Sequence, residues 1–151
     1  MLLTPGRANL SSGRRQNLST SKIPLISVVD DDRSVVEAIV SLLESVGYAA
    51  AGFISAQDFL ESAQLLQTSC LILDVRMPGI DGPGLQRRLV AQNIHTPIIF
   101  MTAQGALEVS PRLTSGATAL LRKPFSQEAL LGALRFALAQ PEGLTGRANP
   151  D

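Results

Sequence analysis

The sequence predicts a doubly wound α/β domain, in which five parallel strands alternate with five helices. Short apolar runs alternate with stretches whose apolar residues recur at helical spacing. A continuous apolar run such as PLISVV (24–29) is typical of a strand that is buried on both faces, as in a parallel sheet. Strands that alternate with helices form right-handed βαβ units, so we expect one sheet covered by helices on both faces.

Each element follows from its own local pattern. The predicted strands cover residues 24–29, 48–53, 70–75, 96–102 and 117–121, and the second is the weakest. The predicted helices cover residues 35–46, 55–66, 82–92, 105–115 and 126–139. Gly47 ends the first helix, Ser55 and Asp58 form an acidic capping box in the second, and Ser126 caps the last. Pro111 interrupts the fourth.

Length and composition indicate one globular domain. The chain has 151 residues, of which 45% are hydrophobic and 17% charged. Thirteen basic residues balance thirteen acidic ones, so the overall charge indicates neither a nucleic-acid nor a membrane partner. The one cysteine, Cys70, cannot form an internal disulfide, which fits a reducing compartment. No apolar run reaches the ~18–20 residues of a membrane span.

Both ends of the chain are predicted to be disordered. Residues 1–22 form a basic tail rich in Ser, Asn and Gly, without any acidic residue. Its basic residues are Arg7, Arg14, Arg15 and Lys22. A transit peptide has a similar composition and remains an alternative for this segment. Residues 141–151 are rich in Pro and Gly, so we expect the folded domain to cover residues 23–140.

Polar residues stand where four of the predicted strands end. They are Asp30, Asp31 and Asp32 after the first strand, Asp74 after the third, Thr102 after the fourth and Lys123 after the fifth. Each of them alone is most often a helix cap or a solvated loop residue. In a doubly wound sheet, however, ligands bind outside the carboxyl ends of the strands, so these side chains together predict a site.

The residue types at the strand ends fit phosphoryl-transfer chemistry. Neighbouring carboxylates repel one another by a few kcal/mol at about 4 Å, and a cation such as Mg²⁺, which prefers carboxylate oxygens, would offset that repulsion. A carboxylate can attack phosphorus and form an acyl phosphate. A lysine and a hydroxyl can then stabilise the oxygens of the transferred group.

Four stretches of the sequence resemble the receiver domain of two-component response regulators, in particular that of FixJ-type transcriptional regulators. They are VVDDD (28–32), LILDVRMPGIDG (71–82), PIIFMT (97–102) and LLRKPF (120–125). The resemblance covers residues 24–139. It implies a flavodoxin-like fold with the strand order 2-1-3-4-5.

The resemblance also implies a role for each acidic residue. Asp74 matches the phosphoacceptor, and Asp30 and Asp31 match the acidic pair that binds Mg²⁺ together with it. A shift of one residue in register would make the pair Asp31 and Asp32. Arg76 would contribute its backbone carbonyl to the metal.

The remaining positions of the motifs concern the conformational switch that responds to phosphorylation in this family. Thr102 matches the switch hydroxyl, Lys123 matches the lysine that contacts the phosphoryl group, and the Lys123–Pro124 peptide bond is expected to be cis. The family usually has an aromatic residue three positions before the lysine, where this chain has Leu120. Because leucine has no ring to swing inward, Leu120 is an altered switch position. We expect an altered output surface there and at the predicted helix 105–115.

The function that the resemblance implies is that of a single-domain response regulator. It would accept a phosphoryl group from a sensor histidine kinase onto Asp74 in a Mg²⁺-dependent phosphorelay and signal through a downstream protein partner. It would be no enzyme beyond its own phosphorylation and dephosphorylation. Because the chain ends soon after the closing helix, we expect no direct DNA binding. We also expect no membrane partner and a cytoplasmic location, and a homodimer remains open.

Other functional classes fit the sequence less well. A phosphohydrolase of the haloacid-dehalogenase kind needs an Asp-x-Asp pattern, but Asp74 is followed by Val75 and Arg76. A flavodoxin-like electron carrier needs a hydroxyl-rich phosphate loop where this chain has three aspartates. A receiver-like module that binds proteins without phosphorylation, or a remnant of a regulator without its DNA-binding domain, remains an alternative, which Leu120 favours.

Overall fold

The described part of the chain forms a parallel sheet with helices on both faces. The computed structural model describes residues 23–103 and 117–139. The strands are β1 (Leu25–Val29), β2 (Ala49–Phe53), β3 (Thr68–Asp74), β4 (Ile98–Thr102) and β5 (Ala119–Arg122). The helices are α1 (Arg33–Ser45), α2 (Ala56–Leu60), α3 (Gly82–Ala91) and α4 (Gln127–Ala139), with a 3₁₀ helix at Leu65–Gln67. The predicted tails and the predicted helix 105–115 lie outside the described residues.

All strand pairs are parallel, and the order is β2-β1-β3-β4-β5. The predicted doubly wound, flavodoxin-like sheet is therefore confirmed. The switch point of this topology lies between β1 and β3, because the chain continues from β1 to one edge of the sheet and from β3 to the other. Among the described residues, no helix has the length and apolar character needed to cross a membrane.

Successive residues of the central strands pack into two separate cores. In β3, Cys70 and Ile72 belong to the core shared with α1 and α4. Leu71 and Leu73 belong to the core shared with α2 and α3. Side chains alternate between the two faces of a strand, so a strand covered on both sides needs an apolar residue at every position. This requirement explains the uninterrupted apolar runs in the sequence.

Each α-helix in the described part of the chain follows a side chain that accepts a hydrogen bond from the first turn. These residues are Asp32, Ser55, Asp81 and Ser126. The oxygen of such a side chain pairs with a backbone N–H that has no partner within the helix. Caps at Ser55 and Ser126 were predicted from the sequence, and both are present.

The predicted helix 55–66 is wrong in its length, because α2 ends at Leu60. The N–H of Ser62 donates to the carbonyl of Phe59 at 3.1 Å, and the Ser62 hydroxyl donates to the same carbonyl at 2.7 Å. A hydroxyl that bonds to nearby backbone competes with helix continuation. The chain then makes a 3₁₀ turn and enters β3 at Thr68, two residues before the predicted start.

Candidate functional site

The candidate site lies at the carboxyl ends of β1 and β3, where the topology switches direction. Val29 pairs with Leu73 in the register of these strands. The next residues along the two strands, Asp30 and Asp74, therefore emerge side by side at the same edge of the sheet. This is the place where ligands bind in open α/β sheets.

Asp30 is a buried carboxylate with both oxygens engaged. Its side chain is 1% exposed. Oδ1 accepts a hydrogen bond from the backbone N–H of Asp32 at 2.9 Å, and Oδ2 accepts one from Lys123 Nζ at 2.7 Å. A buried charge is tolerated only when it is paired and hydrogen-bonded, so Asp30 depends on the lysine.

Three carboxylates gather in a geometry that fits a hard cation. Asp30, Asp31 and Asp74 each offer an oxygen, and these oxygens all lie within 4.8 Å of one another. Asp31 is exposed and the other two are buried, so the group opens to solvent on one side. Oxygen ligands from a few carboxylates are what Mg²⁺ requires, and the donor set therefore fits this ion.

Asp32 does not belong to this group of carboxylates. Its Oδ1 accepts hydrogen bonds from the backbone N–H of Ser34 at 3.0 Å and from the Ser34 hydroxyl at 2.7 Å. The hydrogen bond from the Ser34 hydroxyl lowers the pKa of Asp32 below its ordinary value. The three consecutive aspartates thus lie in three environments: one buried against a lysine, one at the open side of the cluster and one capping α1. An Asp directly before a helical pattern is an N-cap signal, and it would have identified Asp32 from the sequence.

Lys123 follows β5, the strand at one end of the sheet, and brings a positive charge to the acidic cluster. Its Nζ lies 2.7 Å from Oδ2 of Asp30 and 3.1 Å from Oδ1 of Asp74. Partial burial lowers the pKa of the ammonium, but the hydrogen bond to Asp30 and the charge of Asp74 outweigh burial and raise it. The backbone N–H of Lys123 donates to the Thr102 carbonyl at 2.7 Å, and the Lys123–Pro124 peptide bond is cis.

The carboxylate of Asp74 is harder to ionise than an ordinary aspartate. Burial and the neighbouring charge of Asp30 raise its pKa to about 6, while Lys123 acts in the opposite direction. Asp74 is therefore mostly ionised at neutral pH, yet it lies in a less solvated place than a surface carboxylate.

Thr102 ends β4 with a buried hydroxyl. Its Oγ1 has no hydrogen-bond partner in the described parts of the chain. A buried polar group without a partner costs about 1–3 kcal/mol, so such a group calls for an explanation. Thr102 lies at the same edge of the sheet as the three carboxylates, where a ligand oxygen would satisfy it.

The other residues predicted from the sequence lie in the loop after β3 and on β5. Arg76 is exposed in the loop after β3 and lines an open cavity of about 380 Å³ with Met77, Pro78 and Asp81. Leu120 lies on β5 opposite Phe100 of β4, and the residue is 38% exposed.

Gly82 is a contact residue that the sequence reasoning missed. A Cβ atom at this position would lie 2.6 Å from the carbonyl oxygen of Asp74 and 2.9 Å from the ring of Phe100. The N–H of Gly82 donates to the carbonyl of Val75 at 2.9 Å, which closes the loop behind Asp74. Only glycine permits α3 to begin so close to the end of β3.

Comparison with known proteins agrees with this geometry. The sequence model of a family described as the response regulator receiver domain matches residues 26–135. The response regulator protein TodT of Pseudomonas putida is 38% identical over 137 residues, which cover 90% of this chain and 60% of TodT. The chain thus spans less than two thirds of that relative.

Two solved structures are similar over most of this chain. The response regulator StyR is 42% identical with a TM-score of 0.71, over 78% of this chain and 60% of StyR. The structure described as FixJ-N is 27% identical with a TM-score of 0.73, over 80% of this chain and 97% of FixJ-N.

Proposed function

Because this chain belongs to the response regulator receiver domain family, we propose that it is a phosphorylation-dependent signalling switch. It would accept a phosphoryl group from a sensor histidine kinase onto Asp74. The observation that carries this proposal is the ammonium of Lys123, which lies between the carboxylates of Asp30 and Asp74 at the carboxyl edge of the sheet.

Asp74 is the nucleophile in this proposal. One of its carboxylate oxygens forms a bond to phosphorus as the bond between phosphorus and the histidine nitrogen of the donor breaks, with the electron pair remaining on the imidazole. A carboxylate with a pKa of about 6 is ionised at neutral pH and carries little solvation that must be removed. The product is an acyl phosphate on this chain.

The three carboxylates and the backbone carbonyl of Arg76 would hold Mg²⁺. When bound, the ion offsets negative charge on the oxygens of the phosphoryl group. Asp30 and Asp31 serve as ligands that do not react, and Asp30 also orients Lys123 through their 2.7 Å contact. The proposal is supported by the oxygens that lie within 4.8 Å of one another.

Lys123 and Thr102 would bind the transferred group. The Lys123 ammonium exchanges its contact with Asp74 for one with a phosphoryl oxygen. Thr102 donates its unpartnered hydroxyl to another phosphoryl oxygen, which satisfies a buried polar group. In the family, an aromatic ring usually swings inward after this step, but this chain has Leu120 at the position of that ring. We therefore propose that the readout of phosphorylation differs at β5.

The proposal extends to partners and to the organisation of the chain. We propose a receiver domain over residues 23–140 between two tails, located in the cytoplasm, that signals through a downstream protein without binding DNA directly. It would act on no substrate beyond its own phosphorylation and dephosphorylation. The exposed Leu120 favours a second candidate, a receiver-like module that binds its partner without phosphorylation.

The intact mass of the full chain after incubation with acetyl phosphate and Mg²⁺ tests the proposal. We expect one added phosphoryl group, which is absent with a chelator and in Asp74→Asn. Glu37→Gln, which removes an exposed carboxylate from α1, is the matched control and should be phosphorylated normally.

Rapid hydrolysis of the acyl phosphate would also leave no adduct. Beryllofluoride, a stable mimic, separates these cases, because it binds a working site without being hydrolysed. A folded chain that neither gains mass nor binds beryllofluoride would disprove the switch and support the phosphorylation-independent module.

A further inference from the structure

Exposed apolar residues stand where the first three strands begin, at the edge of the sheet opposite to the acidic cluster. Leu66, just before β3, is 79% exposed, and Ile23, just before β1, is 63% exposed. Val46, which follows α1 and precedes β2, is 44% exposed. We call these three residues the apolar patch. Apolar side chains that cluster at a surface mark a place where another group binds, because their contact with water is unfavourable.

The register of the sheet brings the residues of the apolar patch together. Leu25 of β1 pairs with Ala49 of β2 on one side and with Thr68 of β3 on the other. The N–H of Ala49 also donates to the carbonyl of Pro24 at 3.3 Å. Each residue of the patch precedes its strand's member of this row by two or three positions. Neighbouring strands are about 4.8 Å apart, so the three apolar residues lie close together.

A chain of hydroxyl groups holds the turn that presents Leu66. Thr68 Oγ1 donates to the carbonyl of Gln64 at 2.7 Å, and it lies 2.7 Å from the buried Oγ of Ser27. Because the one hydroxyl proton of Thr68 is used on Gln64, Ser27 is the donor in the second contact. The Gln64 carbonyl also accepts from the N–H of Gln67 at 3.0 Å. Leu66 is therefore exposed on a turn that hydrogen bonds fix to β1 and β3.

The end of α1 beside the apolar patch favours a positively charged group. Glu44 is exposed in the last turn of α1, and this turn contains no basic residue. The carboxyl end of a helix carries a partial negative charge, so a carboxylate there is unfavourable and a cation is favourable. A segment that covers the patch with an apolar side chain and also carries basic residues would therefore gain free energy at both places.

We propose that residues 14–22 of this chain fold back and cover the apolar patch. This segment reads RRQNLSTSK, contains no acidic residue and joins the patch directly at Ile23. The Ser and Thr residues at 19–21 favour a turn, because their hydroxyl groups bond to nearby backbone. Leu18 then lies on the patch, and the two arginines that begin the segment lie beside Glu44.

The position of this segment favours it over a separate partner. Leu18 is only five residues away from Ile23. A group joined to its binding site by a short linker has an effective concentration in the millimolar range, so a contact that centres on one leucine suffices for an attached segment. The proposal does not depend on phosphorylation, because Asp74 ends β3 at the opposite edge of the sheet.

Tryptophan fluorescence of the full chain tests the contact, because the chain contains no tryptophan. Leu66→Trp places a single indole on the apolar patch. We expect acrylamide to quench this indole at least about twofold more strongly after the further change Leu18→Ser, which removes the apolar side chain that covers it. Ile54→Trp, at an exposed position after β2 on the opposite edge, is the control and should be quenched equally with and without Leu18→Ser.

Charge exchange tests the basic part of the segment. In the Leu66→Trp chain, Glu44→Arg should raise quenching at least about 1.5-fold, because it places like charges opposite each other. The joint change Arg14→Glu and Arg15→Glu should do the same. The chain that carries all of these changes should recover weak quenching, because opposite charges face each other again. Thermal unfolding of each variant checks that the fold is intact.

Amide NMR signals of the chain without any tryptophan are an independent test. Leu18→Ser should shift the signals of Val46 and Gln67, whereas the signal of Gly82 at the opposite edge should stay in place. Unchanged signals at Val46 and Gln67, or quenching of Leu66→Trp that does not respond to Leu18→Ser, would overturn the proposal. Quenching that falls with rising protein concentration but ignores Leu18→Ser would overturn it as well, because a second copy would then cover the patch.

Discussion

The ammonium nitrogen of Lys123 lies 3.1 Å from Oδ1 of Asp74, although β4 separates the strands that precede these two residues. The contact exists because all strands of a parallel sheet end at the same edge. The same nitrogen lies 2.7 Å from Asp30, so one positive charge offsets two negative ones.

Removing the ammonium should impair phosphorylation. In Lys123→Met, Asp30 and Asp74 lose the charge between them, and a phosphoryl group loses a cation that would stabilise it. We expect the rate of phosphorylation by acetyl phosphate to fall by about 10²-fold, measured as the time course of the intact-mass shift. Arg88→Met on the exposed side of α3 is the control. A rate within a factor of two of the wild type would remove Lys123 from the proposed mechanism.

The raised pKa of Asp74 makes stability depend on pH. The pKa rises from 3.8 to about 6 on folding, so the folded state binds more protons than the unfolded chain between these values. Stability should therefore decrease as the pH rises from about 4 to about 6 and stay lower above that range. Asp74→Asn removes this effect. We expect it to raise the free energy of unfolding by about 1–3 kcal/mol at pH 8 with a chelator, and to change it little near pH 4.

Urea unfolding at both pH values, followed by circular dichroism, measures this difference. Glu37→Gln on the exposed side of α1 should shift the stability little at either pH. An equal stabilisation by Asp74→Asn at pH 4 and pH 8 would show that ionisation of the carboxylate is not its cause.

The neighbouring residues Asp31 and Asp32 should behave differently when substituted. Asp32 caps α1, so Asp32→Ala should lower the free energy of unfolding by about 1 kcal/mol while Mg²⁺ binding stays within a factor of about two. Asp31 is exposed at the open side of the carboxylate group, so Asp31→Asn should weaken Mg²⁺ binding at least about tenfold with little change in stability. Titration calorimetry and urea unfolding report the two quantities. Weakened Mg²⁺ binding in both variants would mean that Asp31 and Asp32 form the metal-binding pair.

A methyl group at Gly82 should disturb the end of β3. Its Cβ would lie 2.6 Å from the carbonyl oxygen of Asp74, and backbone cannot yield as a flexible side chain can. We expect Gly82→Ala to lose about 1–3 kcal/mol of stability and to be phosphorylated more slowly. Gly132→Ala in α4 is the matched control, because its Cβ would meet only a guanidinium nitrogen of Arg135 at 3.9 Å. This substitution should stabilise the helix by about 0.5–1 kcal/mol. Equal stabilities of the two variants would show that α3 can move away from Asp74 freely.

Much of the fold could be predicted because the relevant signals are local. A strand buried on both faces needs apolar residues at consecutive positions, and β3 and β4 show this directly. The caps at Ser55 and Ser126 depend on residues within one helical turn. The length of α2 could not be predicted, because the hydroxyl of Ser62 competes with the helix for the carbonyl of Phe59.

The sequence by itself determined that carboxylates, a hydroxyl and an ammonium stand at strand ends, and parallel topology requires such ends to share one edge of the sheet. Only the tertiary structure decided the surroundings of each of the three consecutive aspartates. Asp30 pairs with Lys123, Asp31 lies at the open side of the carboxylate cluster and Asp32 caps α1. The tertiary structure also decided that Gly82 lies against the carbonyl of Asp74. The physical reason is that local patterns specify elements and their ends. Which neighbour each carboxylate meets depends instead on distances of a few ångströms between residues far apart in the chain.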